Sequence, residues 1–533
     1  MPTRRQFLQT GISGVAAGAL LFPALTNRGE AAASGKFRKS TLKGPVLNHD
    51  STAFFVAYSA DQMSGALVDD WVDSLATAGV GVMMSNINAM RANYASKVWE
   101  PDWFGYDPAA SDDQPVLKYL PKEVIPLTRK RLESAKKLAD LGINFHQRAI
   151  GRCRKHGIGA WISVRMNDLH DCDLRDSPLL STFFKEHRDW ARVPYASGWT
   201  DRALDWAHPE VREHYLKLIR ETLEIYDLDG LELDWMRFGY FFRIGRELEG
   251  GKTLTEFIIE VRREIARAAK RLKHPIKLGV RVPSTPETAR HLGLDGVAWA
   301  RDGLIDLLVA TPFWATCEFN MPIKTWRRLL EGTHVTLAGG LEVLYRPMPG
   351  AVAIEMTPEK AAGAAMAVLD GGADLVYLFN YFPESKPWPA ESFNKTLRAM
   401  ADKESLSGLA RCHAVTYRDV RAPGEPADHP LPATGNQCAF QLQTGPKPVG
   451  RKVQVLLELE ASKGVEPSPP TVRVNSIQCQ EPSKQGTAVF IYPVSDPALA
   501  DELNVIEART ASGSPMKILR VEFHIGPSLL VSN

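Results

Sequence analysis

From about residue 50 to 400, short β-rich runs alternate with amphipathic helical stretches, and this alternation narrows the possible folds more than any other feature. The spacing predicts strands at 53–58 (AFFVAY), 80–87 (VGVMMSNI), 158–165 (IGAWISVR) and 229–236 (DGLELDWM), then at 276–282 (IKLGVRV), 305–312 (IDLLVATP), 333–338 (THVTLA) and 373–379 (ADLVYLF). Helices are predicted between them, among others at 65–78, 143–156, 209–225, 253–273, 357–370 and 390–403. Eight strands alternating with helices point to an α/β chain, a (β/α)8 TIM barrel over residues 45–404. A doubly wound open sheet would carry a Gly-rich phosphate turn after its first strand, and YSADQMSG stands there instead.

Near residue 405 the composition changes. Runs such as KVQVLLELEA, TVRVNSI, TAVFIYPV and ILRVEFHI, separated by Pro, Gly, Ser and Asn, predict a C-terminal all-β sandwich-like domain over 405–533. Within the barrel region the connections 89–125, 166–207 and 238–252 exceed the usual ~2–6 residues. In a barrel they emerge at the C-terminal ends of the strands, where active sites are built, and so predict a walled groove for a bulky substrate.

The first residues, Thr3-Arg4-Arg5-Gln6-Phe7-Leu8, form a twin-arginine pattern followed by a weakly apolar stretch from Gly11 to Leu25 and by Ala31-Ala32-Ala33. Residues 1–33 therefore read as a twin-arginine signal peptide, placing the mature chain in a bacterial periplasm or outside the cell. No later run approaches the ~20 apolar residues of a membrane span. A net charge of +2, with 44% apolar and 24% charged residues, supplies no field for nucleic acid or an anionic membrane. The six cysteines include no CxxC pair, which argues against a zinc ribbon or thioredoxin-like site; export would permit a bridge among Cys412, Cys438 and Cys479 without assigning one.

The stretch DGLELDWMRF, 229–238, places charge inside a buried strand. By the two-residue period of a strand, Glu232 and Asp234 face the barrel axis while Leu231, Leu233 and Trp235 face the helices. Asp234, nearer the C-terminal end, should reach substrate, and Glu232, a layer deeper, should orient or tune it. Two carboxylates about 7 Å apart on one face also raise each other's proton affinity. A purely structural role, with both paired to Arg165, Arg237 or Arg281, is the alternative.

This stretch, extended to YDLDGLELDWMRF, resembles the fourth-strand signature of the glycosyl hydrolase-like 10 group and related glycoside hydrolases, DG(I/L)xFDxxR(F/Y), at Asp229, Gly230, Asp234, Arg237 and Phe238. The upstream stretch from Gly142, ending in WISVRMNDLHD, is similar to the helix and third strand of that group. The resemblance covers residues 50–400 and implies a TIM barrel acting on glycosidic bonds, with Asp234 as its strand-four acid. A weaker likeness to chitinase-type barrels breaks at Met236, which stands where their motif has its catalytic acid.

Glycoside hydrolysis usually needs a second carboxyl group. Glu342 in LAGGLEVLY is the favoured candidate, Asp168 in RMNDLHD the next, and Glu318 in TPFWATCEFN the third. Arg165, Asn167 and Arg281 are donors suited to sugar hydroxyls or to holding Asp234, and His170 either joins the site or braces its loop. Trp314 and Asn380, beyond strands six and eight, are further substrate-binding candidates. Aromatics crowd the same loops, among them Trp103, Phe104, Tyr106, Trp199, Tyr240, Tyr345 and Tyr381, although about half should be core and Trp235 should pack under a helix. Asp168, His170, Asp171 and Asp173 hint at a metal, but no HxH or HExxH occurs, so neither metal nor cofactor is expected.

The chain is thus expected to be an exported glycoside hydrolase cleaving an oligo- or polysaccharide, with Asp234 as nucleophile or base and Glu342 as acid. A non-catalytic glycan-binding barrel, or a metal-dependent hydrolase or lyase using Asp168, His170 and Asp234, are the alternatives. Sequence leaves the sugar, the linkage and the oligomeric state open.

Overall fold

The computed structural model describes residues 42–174, 177–193, 198–384, 388–461, 466–510 and 515–526; the twin-arginine stretch within 1–33 lies outside them. Eight parallel strands close into a barrel: β1 (Val46–Asp50), β2 (Val82–Asn86), β3 (Gly159–Arg165), β4 (Gly230–Asp234), β5 (Lys277–Pro283), β6 (Leu307–Thr311), β7 (Thr336–Glu342) and β8 (Leu375–Phe379). Helices lie between successive strands, including Gly65–Thr77, Phe145–Lys155, Pro209–Ile225, Glu247–Leu272 and Pro358–Asp370. Alternation along each strand divides its side chains. Leu231, Leu233, Val280 and Leu308 join the cluster between barrel and helices, whereas Val82, Met84, Trp161, Val309 and Tyr377 fill the axis.

Trp161 explains a glycine. A Cβ on Gly230 would lie 2.3 Å from the Trp161 indole and one on Gly279 3.0 Å from it, so the ring occupies the space that side chains at these positions of β4 and β5 would take. A second device fixes register. Asp229 accepts the Ala160 N–H at 2.7 Å, Asp306 the Leu278 N–H at 2.8 Å, and Asp374 the Leu337 N–H at 2.9 Å. Each acid stands just before an even-numbered strand and pins the backbone of the preceding odd one, satisfying a donor that the closed ladder leaves over.

The strand expected at 53–58 is not a strand. The first strand is Val46–Asp50, and AFFVAY begins inside the helix Ser51–Ala57, whose first turn is capped by Asp50 accepting the Thr52 N–H at 3.0 Å. A short apolar run does not separate strand from buried helix by periodicity, and the true strand is disguised because its axis-facing positions are the polar Asn48 and Asp50. The other seven predicted strands overlap observed ones. The long connection after β2 also contains a helix, Ile125–Asp140.

Beyond the barrel lie two antiparallel sheets. One orders β9 (Arg411–Ala414), β15 (Met516–Ile525), β11 (Val453–Leu459) and β13 (Val489–Val494); the other orders β10 (Gln437–Gly445), β14 (Glu502–Arg509) and β12 (Thr471–Val474). Phe440, Leu442 and Ile506 of one share a buried cluster with Val455, Leu457 and Phe523 of the other, so the sheets pack face to face. β9 lies against the helix Pro358–Asp370, where a Cβ on Gly363 would meet the Cys412 carbonyl oxygen at 2.1 Å. Cys153, Cys317, Cys412, Cys438 and Cys479 form no disulfide. Among the described residues no helix is long and apolar enough to cross a membrane.

Candidate active site

The C-terminal ends of the strands carry a layer of buried charge. Parallel register sets Arg165 of β3 beside Asp234 of β4, and Asp234 beside Arg281 of β5. Arg281 Nη1 donates to Asp234 Oδ2 at 2.8 Å, and the Met236 N–H donates to Oδ1 at 3.0 Å, so both oxygens of Asp234 are engaged. The Arg281 guanidinium lies 4.1 Å from the Phe379 ring centroid, a cation–π contact inside the barrel.

Glu232 sits one layer deeper, as its position on the strand requires. Its Oε2 accepts from Asn48 Nδ2 and from the Tyr377 hydroxyl, each at 3.0 Å. Burial, and then the charge of Asp234, raise its proton affinity above that of an ordinary glutamate.

Glu342, the last residue of β7, is 0% exposed, and among the described residues no side chain hydrogen-bonds its carboxyl oxygens. Burial pushes its pKa up to about 8, against the opposing pull of Arg281 and Arg237. Glu318, in the loop after β6, is likewise raised, to about 7, by burial.

A chain of contacts runs from Asp50 to Arg237. Arg165 Nη2 donates to Asp50 Oδ2 at 2.6 Å and Nη1 faces Asp168 Oδ2 at 3.4 Å. Asp168 Oδ1 meets His170 Nδ1 at 2.7 Å, and His170 Nε2 meets Arg237 Nη2 at 3.2 Å. Since a guanidinium only donates, Nε2 accepts and the Nδ1 proton points at Asp168. Burial alone would raise the carboxyls of Asp50 and Asp168; the Arg165 guanidinium holds Asp50 well below the ordinary range, and His170 with Arg165 does the same for Asp168.

An open pocket of about 380 Å³ lies at this same end, bounded by Asp50, Arg165 and His170 on one side and by Leu120, Val124 and Leu179 on the other. Asp234 and Glu342 lie outside its lining, both fully buried. No Phe, Tyr or Trp is among the described residues that line it. Of the aromatics read from the loops, Trp235, Tyr345 and Tyr381 are buried, and Phe104 and Trp314 stay exposed; the Trp199 side chain lies outside the described residues.

The remaining candidates fall in different places. Asn167 is a brace: its Nδ2 donates to the carbonyls of Leu204 and Tyr240, and its Oδ1 accepts the Leu204 N–H, so its amide faces loops and not a ligand. Asn380 follows β8, half-buried, with φ +62°. Trp314 is 43% exposed with the Arg346 guanidinium 5.5 Å from its ring. Asp171 accepts from the Ser177 hydroxyl and Asp173 pairs with Arg202, so the acidic stretch after β3 does not converge as a ligand set.

Sequence reading missed Asp50, Tyr377 and the buried His49–Glu384 pair at 2.6 Å. It also missed Asp419, from the segment after β9, which takes the N–H groups of Phe313, Trp314 and Ala315 at 2.9, 2.8 and 2.6 Å and so ties down the loop after β6. Asp50 had a signal, as a cap before an apolar helix; Asp419 had none.

No family model matches the chain, and no curated protein matches it. Several solved structures that resemble it are glycoside hydrolases. Alpha-L-fucosidase isoenzyme 2 from Paenibacillus thiaminolyticus is 13% identical, with a TM-score of 0.39, over 69% of this chain and 51% of that one. An alpha-galactosidase from Geobacillus stearothermophilus is 12% identical at 0.33, over 90% and 57%. The PgaB (BpsB) glycoside hydrolase domain from Bordetella bronchiseptica is 10% identical at 0.39, over 67% and 99%. The chain thus spans about half the length of the first two. With TM-scores below 0.5, none of these likenesses bears on the roles of individual residues.

Proposed function

We propose that this chain is a (β/α)8 glycoside hydrolase that uses Asp234 and Glu342 as its two carboxyl groups. The observation that carries the reading is the contrast between them. Asp234 has both oxygens engaged and lies opposite the Arg281 guanidinium, whereas Glu342 is buried with no side-chain hydrogen-bond partner among the described residues and is pushed up to about 8. Two carboxyls in unlike surroundings, one of them with a raised proton affinity, are the usual basis for dividing the work between a base or nucleophile and an acid. Glu342 then supplies the proton to the leaving oxygen, and Asp234 acts on the anomeric carbon or its attacking water. The motif at Asp229, Gly230, Asp234, Arg237 and Phe238 supports the same assignment, with the glycosyl hydrolase-like 10 group as the family it favours. The twin-arginine pattern at Arg4 and Arg5 supports export and an extracytoplasmic glycan as substrate.

One observation favours a second reading, a glycan-binding barrel without turnover: both carboxyls are closed off, and the open pocket beside them is bounded by Asp50, Arg165 and His170. Hydrolysis of a broad glycan panel separates the two. The enzyme reading expects new reducing ends from wild type and a loss of about 10²-fold or more in both Asp234→Asn and Glu342→Gln. Glu342→Gln strands no bonded partner, so its fold should survive and its loss should be one of rate. Glycan binding with no product from wild type would sink the enzyme reading in favour of the binding barrel.

A further inference from the structure

Away from the barrel axis, a thiol, an imidazole and a carboxylate converge where the C-terminal sheet meets the barrel. Cys412 on β9 and His524 on β15 are direct cross-strand partners, which places their side chains on one face of the sheet. Glu522 precedes His524 by two residues on the same strand and shares that face. Cys412 Sγ lies 3.6 Å from His524 Nε2, and the same nitrogen lies 2.8 Å from Glu522 Oε2. One ligand atom from each of the three residues falls within 4.8 Å of the others.

We propose that Cys412, Glu522 and His524 form a zinc site on the face of the C-terminal sheet that meets the barrel. A tetrahedral zinc with bonds of about 2.3 Å to sulfur and about 2.0–2.1 Å to nitrogen or oxygen holds S and N about 3.6 Å apart, and N and O about 3.4 Å apart. The first separation is met as the structure stands, and the second needs Glu522 to withdraw by about 0.6 Å. The residue types suit zinc, which takes thiolate, imidazole and carboxylate together.

The surroundings are also those of a ligand set. Glu522 divides its oxygens: Oε1 faces Lys360 Nζ at 3.0 Å and Arg520 at 3.8 Å, leaving Oε2 toward the imidazole and thiol. A carboxylate braced by a cation on one oxygen and binding metal through the other is a common supporting arrangement. On loading, the thiol proton leaves to solvent and the imidazole carries its remaining proton on Nδ1, at the half-open side of the site. Lys360 belongs to the helix Pro358–Asp370, which Gly363 allows to approach β9, so the ion would act at the junction of barrel and sheet.

The test is a cobalt(II) titration of the chelator-treated full chain, followed by displacement with zinc. The expected result is a thiolate-to-cobalt charge-transfer absorption that saturates at one equivalent and is abolished by zinc. Cys412→Ser should remove the absorption, His524→Ala should weaken zinc binding by about tenfold or more, and Cys438→Ser with Cys479→Ser should change neither. Zinc should also raise the wild-type melting temperature and leave that of His524→Ala unmoved. Absence of the charge-transfer absorption in wild type overturns the proposal whatever the variants do. So does an absorption that survives in folded Cys412→Ser.

Discussion

At the scale of single residues, the stretch DGLELDWMRF mixes architecture with chemistry. Asp229 pins the Ala160 N–H, Gly230 leaves room for the Trp161 indole, and Trp235 packs under the helices, all architectural roles. Asp234 and Arg237 belong to the charged layer. A motif can therefore persist for reasons of packing as much as of catalysis, and the two are separable by experiment. Gly230→Ala puts a methyl 2.3 Å from a buried ring whose neighbours leave it nowhere to go, and should cost about 3 kcal/mol in chemical denaturation. Combining it with Trp161→Phe should recover part of that loss, because the clash lies between those two side chains. Equal losses in the single and double variants would assign the glycine to backbone conformation instead. Asn167 teaches the converse lesson: its polar side chain beyond a strand end suggested a sugar donor, yet loop carbonyls and an N–H occupy every polar atom it has.

At the scale of elements, seven strands were legible because apolar residues dominate them, while the first was not because polar groups face the axis on one side and a capped helix follows at once. The acids before β4, β6 and β8 were in plain view as Asp ahead of an apolar run, but their partners lie on another strand, and only closure of the barrel brings them together. The same holds for the site. Asp234 could be read from parity on its own strand, whereas its relation to Arg281, and that of Asp168 to His170 and Arg237, depend on register between strands and on the path of a loop. Asp419 is the extreme case, more than 100 residues from the amides it holds. It ties the segment after β9 to the loop after β6 with three N–H bonds to one carboxylate. Asp419→Ala should therefore lower stability by about 2 kcal/mol and speed hydrogen exchange at Phe313, Trp314 and Ala315. Unchanged exchange at those amides would show that the loop is held by packing rather than by this carboxylate.

At the scale of the whole molecule, the buried acids fall into two groups that oppose each other as pH changes. Glu342, Glu318 and Glu232 have raised proton affinities, chiefly through burial. Asp50, Asp168 and Glu522 are held low despite burial, by Arg165 for Asp50, by His170 and Arg165 for Asp168, and by His524 and Lys360 for Glu522. For the raised group, the folded chain binds more protons than the unfolded one between the ordinary glutamate value of about 4.3 and the folded values of about 7 to 8, so stability falls as pH rises through that window. For the lowered group the unfolded chain binds more protons below about pH 4, so their contribution is present above that value and lost on acidification. The two slopes meet near pH 5, and thermal unfolding should be most resistant there, declining toward both pH 3 and pH 8. Glu342→Gln cannot ionise, and removes one share of the alkaline decline: it should match wild type near pH 5 and exceed it by about 2 kcal/mol near pH 8.5. A wild-type profile that is level or rising between pH 5 and 8 would mean that the carboxyls of Glu342 and its fellows ionise freely within the fold. The division of labour proposed between Glu342 and Asp234 would then lose its physical basis, because it depends on Glu342 keeping its proton at the working pH.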